Sequence, residues 1–347
     1  MISIAIIPPF KNSDFLADTI IDGILDLMSS GVSINLKILE FYPGNFKEDL
    51  DCYFLKTQEF IDFAKNEADI VFLCLRYKEL NLEIAEKINE WRKTVFVDGS
   101  EYKHDNRFNF DIQYNTLKNK NIGPGAVNID IYEKAGIYLR REKPYLKDMI
   151  PFPFGLERRY RQYDSKIKKD IDFVCIFGQE TYPKMRMYCK NILEDFCKKN
   201  NLVCRTKKSD GFFYDLTKKA GRDDFYNILA RSKIGISVGG GGFDTLRFWE
   251  TLANNCLLLT EKIDIYPINS KRLKYERIFE FANLFDFQFQ LENLLPKLMY
   301  EYNENLNNIE FERVIKDHST RSRVIEIFLE AQKRNILKID VDWNKYK

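Results

Sequence analysis

The sequence predicts an α/β chain built from two Rossmann-like domains, and two observations predict it. Short apolar runs alternate with stretches of helical period along most of the chain, the pattern of parallel strands joined by helices. The chain's 347 residues are enough for two domains with full cores.

Ile2 to Ile7 is a continuous apolar run, so a strand buried on both faces. Pro8-Pro9 stops it. A helix starting near Ser13 turns Phe15, Ile20, Ile24 and Leu27 inward and ends at Gly31. Val32 to Leu39 is the next strand, and the alternation continues. A helix over about Lys56 to Glu67 precedes a strand over Asp69 to Cys74. A helix over Leu80 to Trp91 precedes a strand over Thr94 to Val97. No G-x-G-x-x-G fingerprint follows the first strand, which argues against a dinucleotide fold there.

Ligands of doubly wound sheets gather outside the carboxyl ends of the strands. The polar stretch Asp98 to Asp105 lies at one such end and holds His104, one of only two histidines. One role for it is an acceptor-side loop in which Asp98, Glu101 or His104 is the general base on an acceptor hydroxyl. The other is a solvated surface loop. Residues Phe108 to Val127 are expected to be irregular, with Gly123-Pro124-Gly125 as a breaker. Ile137-Tyr138-Leu139 is a short strand. Between Arg140 and Lys169 ten Lys or Arg face four Asp or Glu; such a run is either a solvated face or, near a ligand, a lure for anions.

Asp172 to Phe177 opens the second alternation and ends at Gly178. A helix through Lys199, with Met187, Ile192, Leu193 and Phe196 at near-helical spacing, and a strand over Leu202 to Arg205 follow. Gly221 to Ala230 is the next helix. Then comes the stretch that carries the chemistry, Ile234 to Thr260. Ile234, Ile236 and Val238 form a strand, and Gly239, Gly240, Gly241 and Gly242 let the backbone turn sharply. A helix starts with Asp244 as its cap and Thr245 beside it. Leu246, Trp249, Leu252 and Ala253 lie on one side of that helix, Arg247, Glu250 and Asn254 on the other. Cys256 to Thr260 is a buried strand.

A helix N-terminus with glycines before it suits a phosphorylated ligand, because it offers N–H groups and positive potential. Arg247 adds a two-pronged phosphate contact, and Glu250 accepts from a ribose diol. Alternatively, the two merely pair on a solvated helix face. Past Thr260 a loop to Lys274 carries Asp264 and Tyr266 beside a nucleotide base. Amphipathic helices over about Leu291 to Tyr302 and Phe311 to Arg334 close the chain.

The segment Asp224 to Glu261 resembles the donor-binding core of GT-B-fold glycosyltransferases, above all the spore-maturation-protein-like and "glycosyl transferases group 1" families. Phe225 to Arg231, Ser232-Lys233, the apolar strand, the glycine turn, Arg247-Phe248-Trp249-Glu250 and Cys256 to Thr260 carry the likeness. Asp317 to Arg323 is similar to the families' C-terminal His-Thr-x-x-Arg segment, where His318 is expected to be structural. The resemblance implies two Rossmann-like domains facing a cleft. The first is an acceptor-side domain over 1–152. A nucleotide-sugar-binding domain follows over 153–318, with a hinge near Pro151 to Gly155. A C-terminal helix over 319–347 crosses back towards the first domain. It implies further that Glu250 holds the ribose and that the glycine turn receives the diphosphate. Gly178 then faces the diphosphate, with Lys184 or Arg186 as its basic contact. Retaining members carry a second Glu eight positions before the ribose-binding one. Gly242 stands there, so the stereochemical outcome stays open.

The expected activity is sugar transfer from a nucleotide-sugar donor to an acceptor hydroxyl. The acceptor class is open among a glycan, a protein, a small molecule and a modified nucleic acid. The nucleotide-sugar is a co-substrate, and no cofactor or metal is expected. Nothing resembles an Asp-x-Asp metal motif, and seven cysteines without CxxC spacing, beside two histidines, do not make a zinc site. Two rivals are a non-catalytic nucleotide-sugar-binding module and a nucleotide-sugar epimerase. With 45% hydrophobic and 31% charged residues and a net charge of +2, the chain reads as soluble and globular, without a general nucleic-acid or membrane field. No run approaches a membrane span, and Met1-Ile2-Ser3 does not start a signal peptide. A cytoplasmic protein with reduced thiols is expected.

Overall fold

The computed structural model describes residues 1–9, 15–42, 44–46, 50–75, 81–101, 109–119, 127–144, 146–206, 219–267, 270–339 and 341–347. The expectations placed on Ser13, Leu80, His104 and residues 123–125 lie outside them, as does the side chain of Phe15. The chain forms two compact units, Met1–Gly155 with His318–Lys347, and Leu156–Asp317.

The first unit is built on a seven-stranded sheet in the order β3-β2-β1-β4-β5-β6-β7. Its strands are β1 (Ile2–Ile7), β2 (Ile34–Leu39), β3 (Phe54–Leu55), β4 (Ile70–Leu75), β5 (Thr94–Asp98), β6 (Ile137–Arg140) and β7 (Met149–Pro151). Neighbouring strands pair in parallel. Helices α1 (Phe15–Ser29), α2 (Thr57–Asn66), α3 (Asn81–Ile88), α4 (Phe110–Asn119) and α5 (Ile129–Lys134) connect the strands. The central strands carry apolar runs because helices cover both faces of a parallel sheet. Ile4, Ile6, Ile20, Ile24 and Leu27 are accordingly fully buried. Gly31, just past α1, has φ +89°, a left-handed helix stop.

Two C-terminal helices, α10 (Glu304–His318) and α11 (Thr320–Lys333), stand where one continuous helix was expected from Phe311 to Arg334. Ser319 breaks the run, because its side chain accepts from the Ser322 amide and starts a new helix. Helix α11 packs along α1: the Thr320 hydroxyl donates to Asp22 at 2.7 Å, and Arg321 grips Asp26 with two bonds of 2.8 Å. The approach is close enough that a Cβ at Gly23 would lie 2.3 Å from the Thr320 carbonyl oxygen. His318 is buried, its Nδ1 2.9 Å from Arg323 Nη2.

The second unit holds a five-stranded parallel sheet in the order β12-β11-β10-β8-β9. Its strands are β8 (Ile171–Cys175), β9 (Cys204–Thr206), β10 (Ser232–Ser237), β11 (Leu257–Glu261) and β12 (Ile278–Phe281), with helices α6 (Lys184–Asn200), α7 (Lys219–Arg231), α8 (Leu246–Ala253) and α9 (Leu284–Pro296). Phe173, Leu193, Ile234, Ile236, Leu259 and Leu291 meet in its core.

Five further elements depart from expectation. Residues 110–119 form a helix inside the stretch expected to be irregular; the i, i+4, i+7 spacing of Phe110, Tyr114 and Leu117 was there, masked by the poor helix formers Asn115 and Thr116. Strands β3, β7 and β12 went unread because two to four residues show no period. Edge strand β7 ends in Pro151, where the missing N–H costs no ladder bond. Helix α9 begins at Leu284, seven residues early, because Asn283 caps it by accepting from the Phe285 and Asp286 amides.

Candidate active site

The glycine turn follows β10, and α8 leads away from it. One correction concerns the cap. The residue at the helix N-cap is Thr245, whose side chain makes no capping bond. Asp244 instead turns inward, fully buried, and accepts the Trp249 indole N–H at 2.7 Å. Thr245 Oγ1 lies 3.1 Å from Ser237 Oγ. The second contact joins the start of α8 to the end of β10.

Two amides of the turn are engaged within the protein. The Gly239 N–H donates to Glu261 Oε2 at 2.9 Å, and the Gly240 N–H to the Gly242 carbonyl at 3.0 Å. Glu261, buried at the end of β11, thus meets the glycine turn directly, and the sequence reading passed over it. The signal was present: an acidic residue closes an otherwise apolar strand at its carboxyl end, where ligands gather.

Arg186, in the first turn of α6, reaches the same turn. Its Nε donates to the Gly239 carbonyl at 3.1 Å, Nη2 to Val238 at 3.2 Å and Nη1 to Gln179 at 3.1 Å. Its guanidinium lies 5.1 Å from the Phe177 ring centroid. A Cβ at Gly240 would sit 2.6 Å from Arg186 Nη2, so glycine there makes room for the cation. Gly178 has no heavy atom within 4 Å of where a Cβ would point. Lys184 is exposed.

On α8, Arg247 and Glu250 pair, but not on a solvated face. Arg247 Nη1 donates to Glu250 Oε2 at 2.6 Å, and the two side chains are only 11% and 8% exposed. The other carboxylate oxygen, Oε1, accepts from the Tyr226 hydroxyl at 3.2 Å. The Arg247 guanidinium stacks 3.8 Å from the Phe225 ring centroid, and its Nε is buried without a partner. Tyr226 packs 5.5 Å from Tyr160, whose hydroxyl donates to Glu157 at 2.7 Å, and Arg159 pairs with Glu157 at 2.5 Å. Burial above all, then the Glu157 carboxylate for Tyr160 and the Glu250 carboxylate for Tyr226, pushes both phenols up, so both remain protonated donors. Asn254 closes the face: its Nδ2 donates to the Tyr160 carbonyl at 2.7 Å and its Oδ1 accepts the Gln162 amide at 3.0 Å. The polar side of α8 therefore packs against residues 157–162 and α7.

In the first unit, Asp98 ends β5, almost fully buried. Its Oδ2 takes Arg140 Nη1 and the Tyr138 hydroxyl, each at 2.8 Å, and its Oδ1 takes the Ser100 amide at 3.0 Å. Glu101 is less enclosed: its Oε1 meets Arg141 Nη1 at 3.0 Å, with 19% of the side chain exposed.

A recess of about 620 Å³ lies between the loop after β11 and strand β12, lined among others by Lys262, Asp264, Tyr266, Lys274, Tyr275 and Glu280. Among the described residues, no group of three His, Cys, Asp or Glu side chains is placed to hold a metal ion. Nor, among them, is any helix long and apolar enough to cross a membrane. Of the seven cysteines, all free, Cys52 is exposed, Cys204 is half-buried, and Cys74, Cys175, Cys189, Cys197 and Cys256 are buried.

No family model matches the sequence, and no curated protein matches it. Solved structures do. A glycosyltransferase from Rickettsia africae superposes with a TM-score of 0.59 at 13% identity, over 97% of this chain and 99% of its own. An alpha-glucosyltransferase in complex with UDP and a 13-mer DNA gives 0.56 at 11% identity, over 97% and 99%. The HepE protein of Anabaena in complex with UDP gives 0.53 at 8% identity, over 96% and 100%. With its two parallel α/β sheets, one to each unit, this chain has the fold of the GT-B glycosyltransferases that the Arg-x-x-Glu segment resembles.

Proposed function

We propose that the chain transfers a sugar from a nucleotide-sugar donor to an acceptor hydroxyl. The observation that carries this is the second unit's glycine turn, with a guanidinium built into it and a doubly bonded, buried carboxylate on the helix that follows. A carboxylate has about four acceptor positions, and Tyr226 and Arg247 donate to two of those of Glu250, so it has capacity for a ribose diol. The diphosphate is received by the stretch Gly239 to Thr245 and the N-terminus of α8, with Arg186 as the principal cation, Lys184 as an outer one and Gly178 leaving an open approach. As the sugar–phosphate bond breaks, the electron pair stays on the nucleoside diphosphate. Fixed dipoles and cations of this kind stabilise such charge, with no dedicated metal assigned.

The acceptor oxygen attacks the sugar C1 and gives up its proton to a base in the first unit. Glu101 suits that task better than Asp98, because Asp98 already takes three donors while Glu101 retains partial exposure. His104 is the third candidate. The UDP in two of the similar structures makes uridine diphosphate sugars the first donors to try, and the DNA in one of them puts a DNA duplex in the acceptor panel.

The experiment is incubation with UDP-, GDP-, ADP- and dTDP-sugars, followed by chromatography of nucleotides and sugars, with and without chelator. Release of nucleoside diphosphate, unchanged by chelator, is expected. An altered sugar on an intact nucleotide would mean an epimerase. Binding without turnover across the acceptor panel would mean a binding module.

A further inference from the structure

The carboxylate assigned to the ribose is held from two sides. Tyr226, on α7, donates to Oε1, and Arg247, one turn before Glu250 on α8, donates to Oε2. Both donors are fixed in turn. Arg247 lies against the Phe225 ring, and Tyr226 is almost fully buried against Tyr160. A free glutamate side chain rotates about three bonds and gives up that freedom when it binds a diol. Here that freedom is already restricted by neighbours that are themselves packed against aromatic rings.

Resting on the ribose assignment above, we propose that Tyr226 and Arg247 are positioning residues. They hold the Glu250 carboxylate in a single orientation and so set how strongly the site prefers ribose over deoxyribose. Tyr226 is the sharper case. Its phenol stays protonated, because burial and the Glu250 carboxylate oppose its ionisation, so it donates throughout the working pH range. Arg247 has a second consequence. With its guanidinium spent on Glu250 and Phe225, the phosphate-side charge falls to Arg186, which reaches the glycine turn directly.

The test is titration calorimetry on the full chain with UDP, GDP, ADP and CDP, then with the 2′-deoxy form of whichever binds most tightly. Tyr226→Phe removes one oxygen and keeps the ring against Tyr160. It should weaken the ribonucleotide by about tenfold, the worth of one hydrogen bond to a charged group, and leave the deoxynucleotide unchanged, so the preference narrows. Arg247→Lys, which keeps the charge and loses the fork, should narrow it as well. A merely structural role would weaken both ligands alike. If wild type prefers ribose and both variants, folded by thermal melt, keep the full preference, the positioning proposal falls and the function stands. If wild type binds ribose and deoxyribose forms equally, Glu250 is not the ribose contact and the proposal falls with it. If wild type binds none of the four diphosphates and does not bind dTDP either, the proposed function itself fails.

Discussion

Arg186 is the residue whose replacement separates phosphate binding from support of the turn. Arg186→Met keeps the stem length and removes the guanidinium. Three bonds of 3.1 to 3.2 Å to backbone carbonyls disappear, two of them part-buried and one exposed. At about 0.5–1.5 kcal/mol each, discounted for the exposed one, the loss is about 2 kcal/mol. For a unit of this size that lowers the melting temperature by roughly 5 °C. The ligand effect is larger and selective. One cation–phosphate bond contributes about 1.5–3 kcal/mol, so nucleoside diphosphate should bind at least about tenfold more weakly. The nucleoside without phosphates should bind as to wild type. Gly240→Ala approaches the same point from the other side, because the new methyl would sit 2.6 Å from Arg186 Nη2 and drive the guanidinium out. Calorimetry with nucleoside, monophosphate and diphosphate decides. An equal loss for nucleoside and diphosphate would reduce Arg186 to a strut beneath the turn, and unchanged diphosphate affinity would remove it from the site.

Three further outcomes are expected. Glu250→Gln keeps the shape and loses the charge, so diphosphate affinity should fall about tenfold or more. It also leaves Arg247 without its anion, so a thermal melt should show a lower midpoint with the fold retained. Glu101→Gln should slow transfer while donor affinity by calorimetry stays that of wild type, since a base on the acceptor side touches the donor's nucleotide nowhere; a wild-type rate would clear Glu101 of that role. Alkylation of the native protein at pH 8, read by peptide mass spectrometry, should mark Cys52 first. Cys175, Cys189 and Cys256 should resist, because burial pushes those thiols up and keeps them unionised.

Much of the fold could be read from the chain because parallel strands and their covering helices write long, regular patterns. Ile2 to Ile7, Ile70 to Leu75 and the β10–α8–β11 run all declare themselves. Segments of two to four residues such as β7 and β12 do not, since they are strands only by virtue of a neighbour. The candidate site was legible to the same depth. Helical period put Arg247, Glu250 and Asn254 on one face, and the expected default for such a face is water. What covers it is a segment some 90 positions earlier, reached through the Asn254–Gln162 bond, and no period carries that information. Asp98 makes the same point. At the carboxyl end of a buried strand it looks like a ligand contact, but β5 and β6 pair with Asp98 beside Arg140, and the two charges neutralise each other at 2.8 Å. Arg140 too ends an apolar strand, so each residue alone invites a functional role. A charge at the end of a parallel strand can be answered by a ligand, by a backbone amide as at Glu261, or by the opposite charge at the same register of the next strand, and only the register reveals the last. Glu250 is different in kind: its partners sit on its own helix and on α7, not across a strand pair, and they bind two of its acceptor positions while leaving the carboxylate room for more.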